Sequence, residues 1–284
     1  MKINQITILL LILFFQSACQ STTEFPGISS PPTATYQTGR IVWRDLVTPD
    51  AEAARKFYQN LFGWTYTEVP NGKSTYTVIH HNNIPIGGIF QMPDNMANNA
   101  TGEWVVSISV PDVKATVNEI GMQGAQVVLK TIDVGGRGTS AVMRDAQGAV
   151  VGLVHSASGD PKVEEPVANN WLWTELWSND TNASIDDYKK LLQYEVEKLS
   201  SDGKDYWLLS KGQYKCGAII QNPVDGARSH WVSYVKVMDV KAIVETAKKS
   251  GGTILMEPTQ EVRSGKVAVI IDPGGAPLAI QEWE

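Results

Sequence analysis

Cysteine and histidine are scarce in this chain, which has two cysteines and four histidines among 284 residues. Cys19 directly follows an apolar run, and Cys216 lies far downstream in a strand-like segment. If Cys19 is consumed by modification, one thiol remains and no internal disulfide can form. Cys216 is then expected to pack as a small apolar side chain. The sequence therefore does not predict a fold held together by disulfides.

Basic charge is also in short supply. The chain has 24 Lys and Arg against 30 Asp and Glu, a formal net charge of −6. A nucleic-acid surface needs clustered basic residues to contact phosphates. The two lysine pairs, Lys189-Lys190 and Lys248-Lys249, lie on amphipathic helical patterns and indicate solvated helix faces. We expect no nucleic-acid partner.

A long apolar run is missing as well. Residues Ile6 to Phe15 form a ten-residue apolar run interrupted by Thr7, whereas a helix that spans a bilayer takes about 20 apolar residues. The run instead has the length of the central region of a signal peptide. The sequence thus predicts export, with a signal peptide over residues 1–18.

The residues after the run resemble a bacterial lipobox, in which a signal peptidase cuts before a lipid-modified cysteine. Ser17 and Ala18 precede Cys19, although Gln16 stands where an aliphatic residue is usual. We expect lipidation at Cys19, with the following Gln20 favouring the periplasmic face of the outer membrane. The alternative is cleavage after Ala18, which releases a soluble periplasmic or secreted protein.

A polar stretch follows the proposed anchor. Residues 19–38 are rich in Ser, Thr and Pro, include Pro31-Pro32 and show no apolar period. Such a composition is typical of a flexible linker. We predict a flexible tether that holds the folded part of the protein off a membrane surface.

An internal repeat is the most informative feature of the sequence. A shift of 130 residues superposes eight positions of the first half on the second, and a shift of 127 superposes the later ones. The first set is Trp43, Leu46, Asp50, Tyr58, Leu61, Tyr76, Gly87 and Ile89 on Trp173, Leu176, Asp180, Tyr188, Leu191, Tyr206, Gly217 and Ile219. The second includes Trp104, Asp112, Gly124, Asp145 and Gly148 on Trp231, Asp239, Gly251, Asp272 and Gly275. The chain predicts a duplication, with module 1 at residues 39–156, a linker at 157–169 and module 2 at 170–284.

Each copy predicts the same order of elements. In the first copy a strand over residues 41–47 precedes a helix capped by Thr48 or Asp50 and ended by Gly63. Strand-like runs over residues 74–80, 84–90 and 104–110 follow, and Asp112 begins a second helix. Runs over residues 127–130, 139–144 and 150–155 close the copy, with a hairpin turn at Gly135-Gly136.

Several of these motifs resemble the vicinal oxygen chelate superfamily of glyoxalases, bleomycin-resistance proteins and dioxygenases. They are the helix end FYQNLFGW at residues 57–64, the Trp-x-Asp/Glu-Leu strands, the Asp-Val helix starts and the closing DAQGAVVGL and DPGGAPLAI. The resemblance covers nearly all of residues 40–284. It implies an α+β fold of tandem βαβββ modules, each copy curling eight strands into a cup that can hold a small ligand.

The resemblance also implies where a metal would be held. Metal-dependent members take ligands of the His, Gln and Glu types from three strands of a module. The matching positions in this chain hold side chains that cannot coordinate a metal: Trp43, Val105, Gly152, Trp173, Val232 and Ala279. We therefore expect no metal and no other cofactor, and the chain is interpreted as leaning away from an enzyme.

Strand alternation extends the same positions into a candidate ligand site. If Trp43 and Trp173 face the cups, so do Asp45 and Glu175, and the neighbouring strands add Ser107 and Tyr234. An apolar wall with a few placed polar groups is typical of a small-molecule pocket. Tryptophan faces beside a carboxylate favour an aromatic or cationic ligand, and Tyr234 favours module 2.

Three functions stay open at this point. The first is a metal-free binding protein of the cell envelope, like the antibiotic-binding members of the superfamily. The second is a glyoxalase-type or dioxygenase-type enzyme with unusual ligands, and the third is an interaction protein with degenerate cups. In the third, the tryptophans only pack and Asp45 and Glu175 hold the scaffold together.

Overall fold

The computed structural model of the protein describes residues 25–71, 74–98, 100–121, 125–201 and 203–284. The predicted signal peptide and Cys19 lie outside these ranges. Within the ranges, no helix combines the length and the apolar character needed to cross a membrane.

The first sequence copy folds into eight strands and three helices. The strands are β1 (Ile41–Thr48), β2 (Thr65–Asn71), β3 (Ser74–His81), β4 (Ile84–Gln91), β5 (Glu103–Ser109), β6 (Gln126–Asp133), β7 (Gly138–Arg144) and β8 (Val150–Ser156). The helices are α1 (Ala51–Phe62), the short α2 (Asp94–Ala97) and α3 (Val113–Gly121). A 3₁₀ turn at Gly135–Arg137 joins β6 to β7, where the sequence predicted a hairpin turn.

The second copy repeats this order with two helices. Its strands are β9 (Trp171–Ser178), β10 (Glu195–Ser201), β11 (Lys204–Lys211), β12 (Tyr214–Gln221), β13 (His230–Val237), β14 (Thr253–Met256), β15 (Val267–Ile271) and β16 (Pro277–Glu282). Its helices are α4 (Thr181–Leu192) and α5 (Val240–Lys249). The duplication seen in the sequence is thus a duplication of structure.

Each copy contributes one eight-stranded mixed sheet. The strand orders are β2-β3-β4-β1-β5-β8-β7-β6 and β10-β11-β12-β9-β13-β16-β15-β14. Within each βαβββ unit the first and last strands are parallel, as in β1 with β4 and β5 with β8. The same holds for β9 with β12 and for β13 with β16. The predicted α+β class with eight strands per copy is confirmed.

One strand in each copy, β2 and its counterpart β10, was not predicted from the sequence. Both lie at the end of their sheets. The β2 sequence TYTEVPN lacks a clear apolar alternation and contains Pro70, which sheets tolerate on edge strands. An edge strand buries little, so its sequence carries a weak pattern.

The helix boundaries follow from local chemistry. Asp50 lies at the N-cap of α1, and its carboxylate accepts a hydrogen bond from the Ala53 N–H at 2.9 Å. Gly63 ends the helix in the left-handed conformation, with φ of 69°. Asp180 and Asp239 cap α4 and α5 in the same way. The predicted Asp caps are confirmed.

The apolar face of α1 sets how the helix packs. Ala54, Phe57, Tyr58, Leu61 and Phe62 are buried and recur at a spacing of three or four residues, which places them on one stripe of the helix. These five side chains belong to one apolar core.

Contacts divide the chain into two compact units that do not coincide with the sequence copies. Unit 1 contains the described residues up to Trp43, Val105–Lys162 and Thr174–Trp231. Unit 2 contains Arg44–Trp104, Val163–Trp173 and Val232–Glu284. Each unit has its own core: α3 and α4 contribute to the core of unit 1, and α1 and α5 to that of unit 2. Each core therefore combines segments from both copies.

A buried chain of hydrogen bonds lies in unit 2. The Trp104 Nε1–H donates to the Tyr58 hydroxyl at 2.9 Å, and this hydroxyl donates to Asp272 Oδ2 at 3.0 Å. Asp272 Oδ1 accepts from the Ala276 N–H at 2.8 Å. Burial raises the pKa of Asp272 to about 6, against the opposing effect of these hydrogen bonds.

Unit 1 contains the duplicate of this chain. The Trp231 Nε1–H donates to the Tyr188 hydroxyl at 2.9 Å, which donates to Asp145 Oδ2 at 3.1 Å. The Ala149 N–H donates to Asp145 Oδ1 at 2.8 Å, and burial raises the pKa of Asp145 to about 6. In both units the tyrosine comes from one sequence copy and the aspartate from the other.

The N-terminal segment corrects one prediction. Residues 25–38 were assigned to a flexible tether, but Phe25 and Ile28 are buried in unit 1. The Ser29 hydroxyl donates to the Ser158 carbonyl at 2.8 Å, and the Gln37 N–H donates to Asp160 Oδ2 at 2.6 Å. Two apolar anchors in a Ser- and Pro-rich stretch suffice to fix it, so the tether interpretation is wrong for these residues.

Candidate functional site

The alternation of side chains along β7, in unit 1, shows which face of the first sheet points away from the apolar core. On β7, Ala141 and Met143 lie in the apolar core, so Ser140 and Val142 point to the opposite face. Val142 is the register partner of Gly152 on β8, and Gly152 is the partner of Ser107 on β5. We call this surface the inner face of module 1.

Trp43, the first predicted ligand residue, is covered by the protein itself. It is 1% exposed. The Arg137 guanidinium lies 5.0 Å from the Trp43 ring centre and 5.3 Å from the ring centre of Phe25. The guanidinium therefore makes cation–π contacts with both aromatic rings.

Asp45 is buried and hydrogen-bonded. Its Oδ1 accepts from the Tyr76 hydroxyl at 2.6 Å. Its register partner on β4 is Gly88, where a Cβ atom would lie 1.7 Å from the Tyr76 hydroxyl oxygen. Gly88 is therefore required for Tyr76 to reach Asp45.

Ser107 is half-buried and lies close to its partner strand. A Cβ atom on Gly152 would lie 2.5 Å from the Ser107 Oγ. The glycine at this position, where metal-dependent relatives of the resembled family carry a ligand, leaves room for the serine side chain.

On the second module, strand β9 carries three large side chains on one face. Leu176 lies in the apolar core, so Trp173, Glu175 and Trp177 alternate onto the other face. Trp173 is only half-buried, in contrast to its counterpart Trp43, whereas Glu175 is 2% exposed.

Trp177 was not among the predicted site residues, and it carries an unusual feature. It is 1% exposed, its ring meets the edge of the His230 ring at a centre distance of 5.5 Å, and its Nε1–H has no hydrogen-bond partner. An indole N–H is a donor only, and a buried donor without an acceptor costs about 1–3 kcal/mol. A bound water molecule or a ligand can satisfy such a donor.

Tyr234, the remaining predicted residue, is buried on β13. The Arg263 guanidinium lies 5.2 Å from its ring centre and also donates to Gln281 Oε1 at 2.6 Å. Tyr234 is the register partner of Ala279 on β16.

A surface cavity of about 420 Å³ lies at the carboxyl ends of the parallel strands β9 and β12. Its lining begins two residues after Trp177, at Asn179, and one residue after Ile220, the register partner of Trp177. Arg228 and Asn222 complete its polar wall. The cavity belongs entirely to unit 1.

The residues present do not fit a metal centre of the kind that the resemblance implies. Ser107 and Tyr234, the register partners of Gly152 and Ala279, offer only hydroxyl oxygens. No group of three or more His, Cys, Asp or Glu side chains in the described part of the chain could hold a metal ion. Cys216 is a poor ligand or nucleophile as well, since burial raises the pKa of its thiol to about 11.

Four residues on these surfaces were not predicted as site residues from the sequence: Trp177, Arg137, Ser140 and Phe25. The alternation that selected Trp173 and Glu175 would have reached Trp177 two residues later. Phe25 lies outside the repeat, and nothing in its sequence context indicated that it folds back onto Arg137. The placement of Trp43, Asp45, Ser107, Trp173, Glu175 and Tyr234 leaves their role in ligand binding a prediction.

Comparison with known proteins adds relatives over most of the chain. A protein of Mycobacterium bovis named "Putative glyoxylase CFP32" is 30% identical over 255 residues, covering 88% of this chain and 97% of the relative. The "Anthracycline biosynthesis protein DnrV" of Streptomyces peucetius is 27% identical over 260 residues, covering 87% of this chain and 94% of the relative.

Solved structures share the fold at low identity. The Mn(II)-bound glyoxalase from Novosphingobium aromaticivorans superposes with a TM-score of 0.59 at 13% identity, covering 87% of this chain and 83% of that one. The 2,3-dioxygenase LapB from Pseudomonas sp. KL28 gives 0.59 at 13% identity, covering 88% and 94%. The family model described as the Glyoxalase/Bleomycin resistance protein/Dioxygenase superfamily matches residues 40–153 and 171–280. The chain therefore belongs to this superfamily.

Proposed function

We propose that the protein binds a small aromatic or cationic molecule on the β9 face of module 2, without a metal ion. The observation that supports this most strongly is the buried Trp177 Nε1–H, which has no acceptor within the described structure. It shares a strand face with Glu175, and both residues belong to unit 1. A ligand that carries a positive charge and an acceptor atom would use both the carboxylate and the indole N–H.

The counterpart positions in module 1 are less suited to the same role. Trp43 is buried beside Arg137, and Val47 stands where module 2 has Trp177. The proposal therefore assigns the binding to module 2. The name of the relative from anthracycline biosynthesis supports a link to small-molecule chemistry.

Substitutions on β9 test the site by saturable quenching of tryptophan fluorescence. The probes are benzyltrimethylammonium, tyramine and the uncharged 4-hydroxybenzamide. Glu175→Gln should weaken binding of the cationic probes by about ten- to a hundredfold, the equivalent of 1.5–3 kcal/mol for a charge-assisted hydrogen bond. Trp177→Phe keeps an aromatic ring but removes the N–H, and should weaken binding by about three- to tenfold.

Two substitutions control for nonspecific effects. Trp283→Phe changes a tryptophan that is largely exposed near the C-terminus, and Asp45→Asn changes the module 1 counterpart of Glu175. Both should leave the affinity unchanged. Absence of saturable quenching by all three probes, or equal losses in the controls, would contradict the proposal and favour an interaction protein.

We further propose that the protein is exported and anchored through a lipid on Cys19, at the periplasmic face of the outer membrane. The apolar run before Cys19 and the small residues Ser17 and Ala18 support this. Mass spectrometry of the mature N-terminus should find a diacylated Cys19 as the first residue. Cys19→Ser should leave the precursor uncleaved or release the protein from the membrane, and an unmodified Cys19 would contradict the anchor.

A further inference from the structure

The segment Phe25–Ser29 makes close contacts with unit 1. A Cβ atom on Gly136 would lie 2.5 Å from the Phe25 carbonyl oxygen, so the glycine permits this approach. Ser29 is held at both ends: its N–H donates to Ser158 Oγ at 3.1 Å and its hydroxyl donates to the Ser158 carbonyl. Ile28 is fully buried. The segment is docked, although no strand pairing holds it.

The Phe25 ring contacts a buried arginine. Arg137 is 4% exposed, and its guanidinium lies over the Phe25 ring as well as over the Trp43 ring. The Phe25 ring makes a cation–π contact with Arg137, and a phenyl ring carries no oxygen or nitrogen that could accept a conventional hydrogen bond. A ring that carried a carboxylate could make the same stacking contact and add a charge-assisted hydrogen bond.

The neighbouring surface offers polar groups to such a ligand. Three residues after Arg137, Ser140 lies on the inner face of module 1, is 8% exposed, and its Oγ has no hydrogen-bond partner. Arg144 alternates onto the same face of β7. Both arginines also have other interactions within the fold, so the unused group here is the serine hydroxyl.

The fold itself does not require these polar side chains. With the shift of 127 residues, Arg137, Ser140 and Arg144 correspond to Ser264, Val267 and Ile271 in module 2. Module 2 thus has apolar residues in place of Ser140 and Arg144, and in its 3₁₀ turn the neighbouring Arg263 contacts the Tyr234 ring. Phe25 and Ile28 likewise precede the repeat, so the docked segment is an addition to the duplicated fold.

We propose that residues 25–29 are an intramolecular occupant of a second ligand site, on the inner face of module 1, from which a planar aromatic anion displaces Phe25. The ring of the anion stacks on Arg137, and its acidic group accepts hydrogen bonds from Ser140 and the neighbouring arginine. This site is separate from the one proposed on β9, and the two can fail independently.

Removal of the Phe25 ring tests the competition, with benzoate as the probe in isothermal titration of the full chain. Phe25→Ala should bind benzoate at least tenfold more tightly than wild type, because a site occupied by its own segment binds with an affinity reduced by the unoccupied fraction. Adding Ser140→Ala to Phe25→Ala should weaken binding about three- to tenfold. Tyr36→Ala removes an aromatic ring seven residues after the segment, one stacked on His155, and should have no effect.

A measurement on the wild-type protein tests the same displacement without relying on the folding of the variants. Saturating benzoate should accelerate hydrogen exchange at the amides of Ser29 and Thr33, which donate to Ser158 in the docked state. Slower or unchanged exchange would contradict displacement. A Phe25→Ala variant that binds benzoate no more tightly, or that binds benzylamine equally well, would overturn the proposal. Trp177→Phe should leave all of these results unchanged.

Discussion

Replacing Asp272 with alanine is expected to lower the free energy of unfolding by about 2–6 kcal/mol. The substitution leaves the Tyr58 hydroxyl and the Ala276 N–H without their acceptor in a buried site. Each buried donor that loses its partner costs about 1–3 kcal/mol. The Tyr58 hydroxyl would also no longer be held in the orientation in which it accepts the hydrogen bond from Trp104. Urea denaturation followed by circular dichroism measures the loss.

Three variants control this experiment. Asp145→Ala removes the equivalent carboxylate of unit 1 and should cost a similar amount. Asp272→Asn keeps one acceptor oxygen and should cost less than half as much. Asp205→Ala removes an exposed carboxylate paired with Lys198 and should leave the free energy of unfolding essentially unchanged. A loss below about 1 kcal/mol for Asp272→Ala would contradict the role assigned to the buried hydrogen-bond chain.

The stability of the protein should fall as the pH rises from about 4 to about 6. Burial raises the pKa of Asp145 and of Asp272 to about 6 in the folded protein, whereas an aspartate in the unfolded chain titrates near 3.9. The folded state therefore keeps both protons over a range in which the unfolded state has released them. The stabilisation is complete below pH 4 and is lost through pH 6, by about 3 kcal/mol for each carboxyl.

Asn substitutions isolate this effect from other titrating groups. Glu52 and Asp205 have pKa values lowered by hydrogen bonds to lysines, so their contributions rise with pH and oppose the trend. The difference in unfolding free energy between wild type and Asp272→Asn should therefore be plotted against pH. We expect this difference to decline between pH 4 and 6 and to be flat above. A flat difference throughout would show that Asp272 titrates normally.

Much of the fold was predictable because the duplicated sequence shows each strand and helix pattern twice. Alternating apolar residues located β1, β3 and β4, and the Asp residues at 50, 180 and 239 predicted helix starts that the structure confirms. The strands β2 and β10 were missed because edge strands bury too little to impose a pattern. Local pattern thus predicted elements wherever burial was substantial.

The sequence could not predict that each core combines segments from both copies. The repeat aligned Tyr58 with Tyr188 and Asp145 with Asp272, but it did not show that each tyrosine bonds the aspartate of the other copy. Which aspartate each tyrosine bonds depends on how the helices and strands pack. The spacing of residues along the chain does not determine that packing. For the same reason the docking of Phe25 on Arg137 could not be predicted.

The candidate site was predictable in part. The absence of metal donors at Trp43, Val105 and Gly152 follows from residue identity alone. The contrast between a buried Trp43 and a half-buried Trp173 does not, because it depends on the side chains that pack against each ring, such as Arg137 against Trp43. The unpartnered Trp177 N–H could not be predicted either, because alternation along the strand does not give the positions of the surrounding side chains.

Metal-free binding on module 2 is tested most directly by titrating one preparation of the full chain before and after chelation, with tryptophan fluorescence and elemental analysis in parallel. We expect less than a tenth of an equivalent of Zn, Ni, Fe or Mn, and the same affinity for the tightest of the three probes before and after EDTA. Thermal stability should also be unchanged, because no metal-binding free energy contributes to folding. About one equivalent of a metal whose removal abolishes binding and lowers the melting temperature would contradict it.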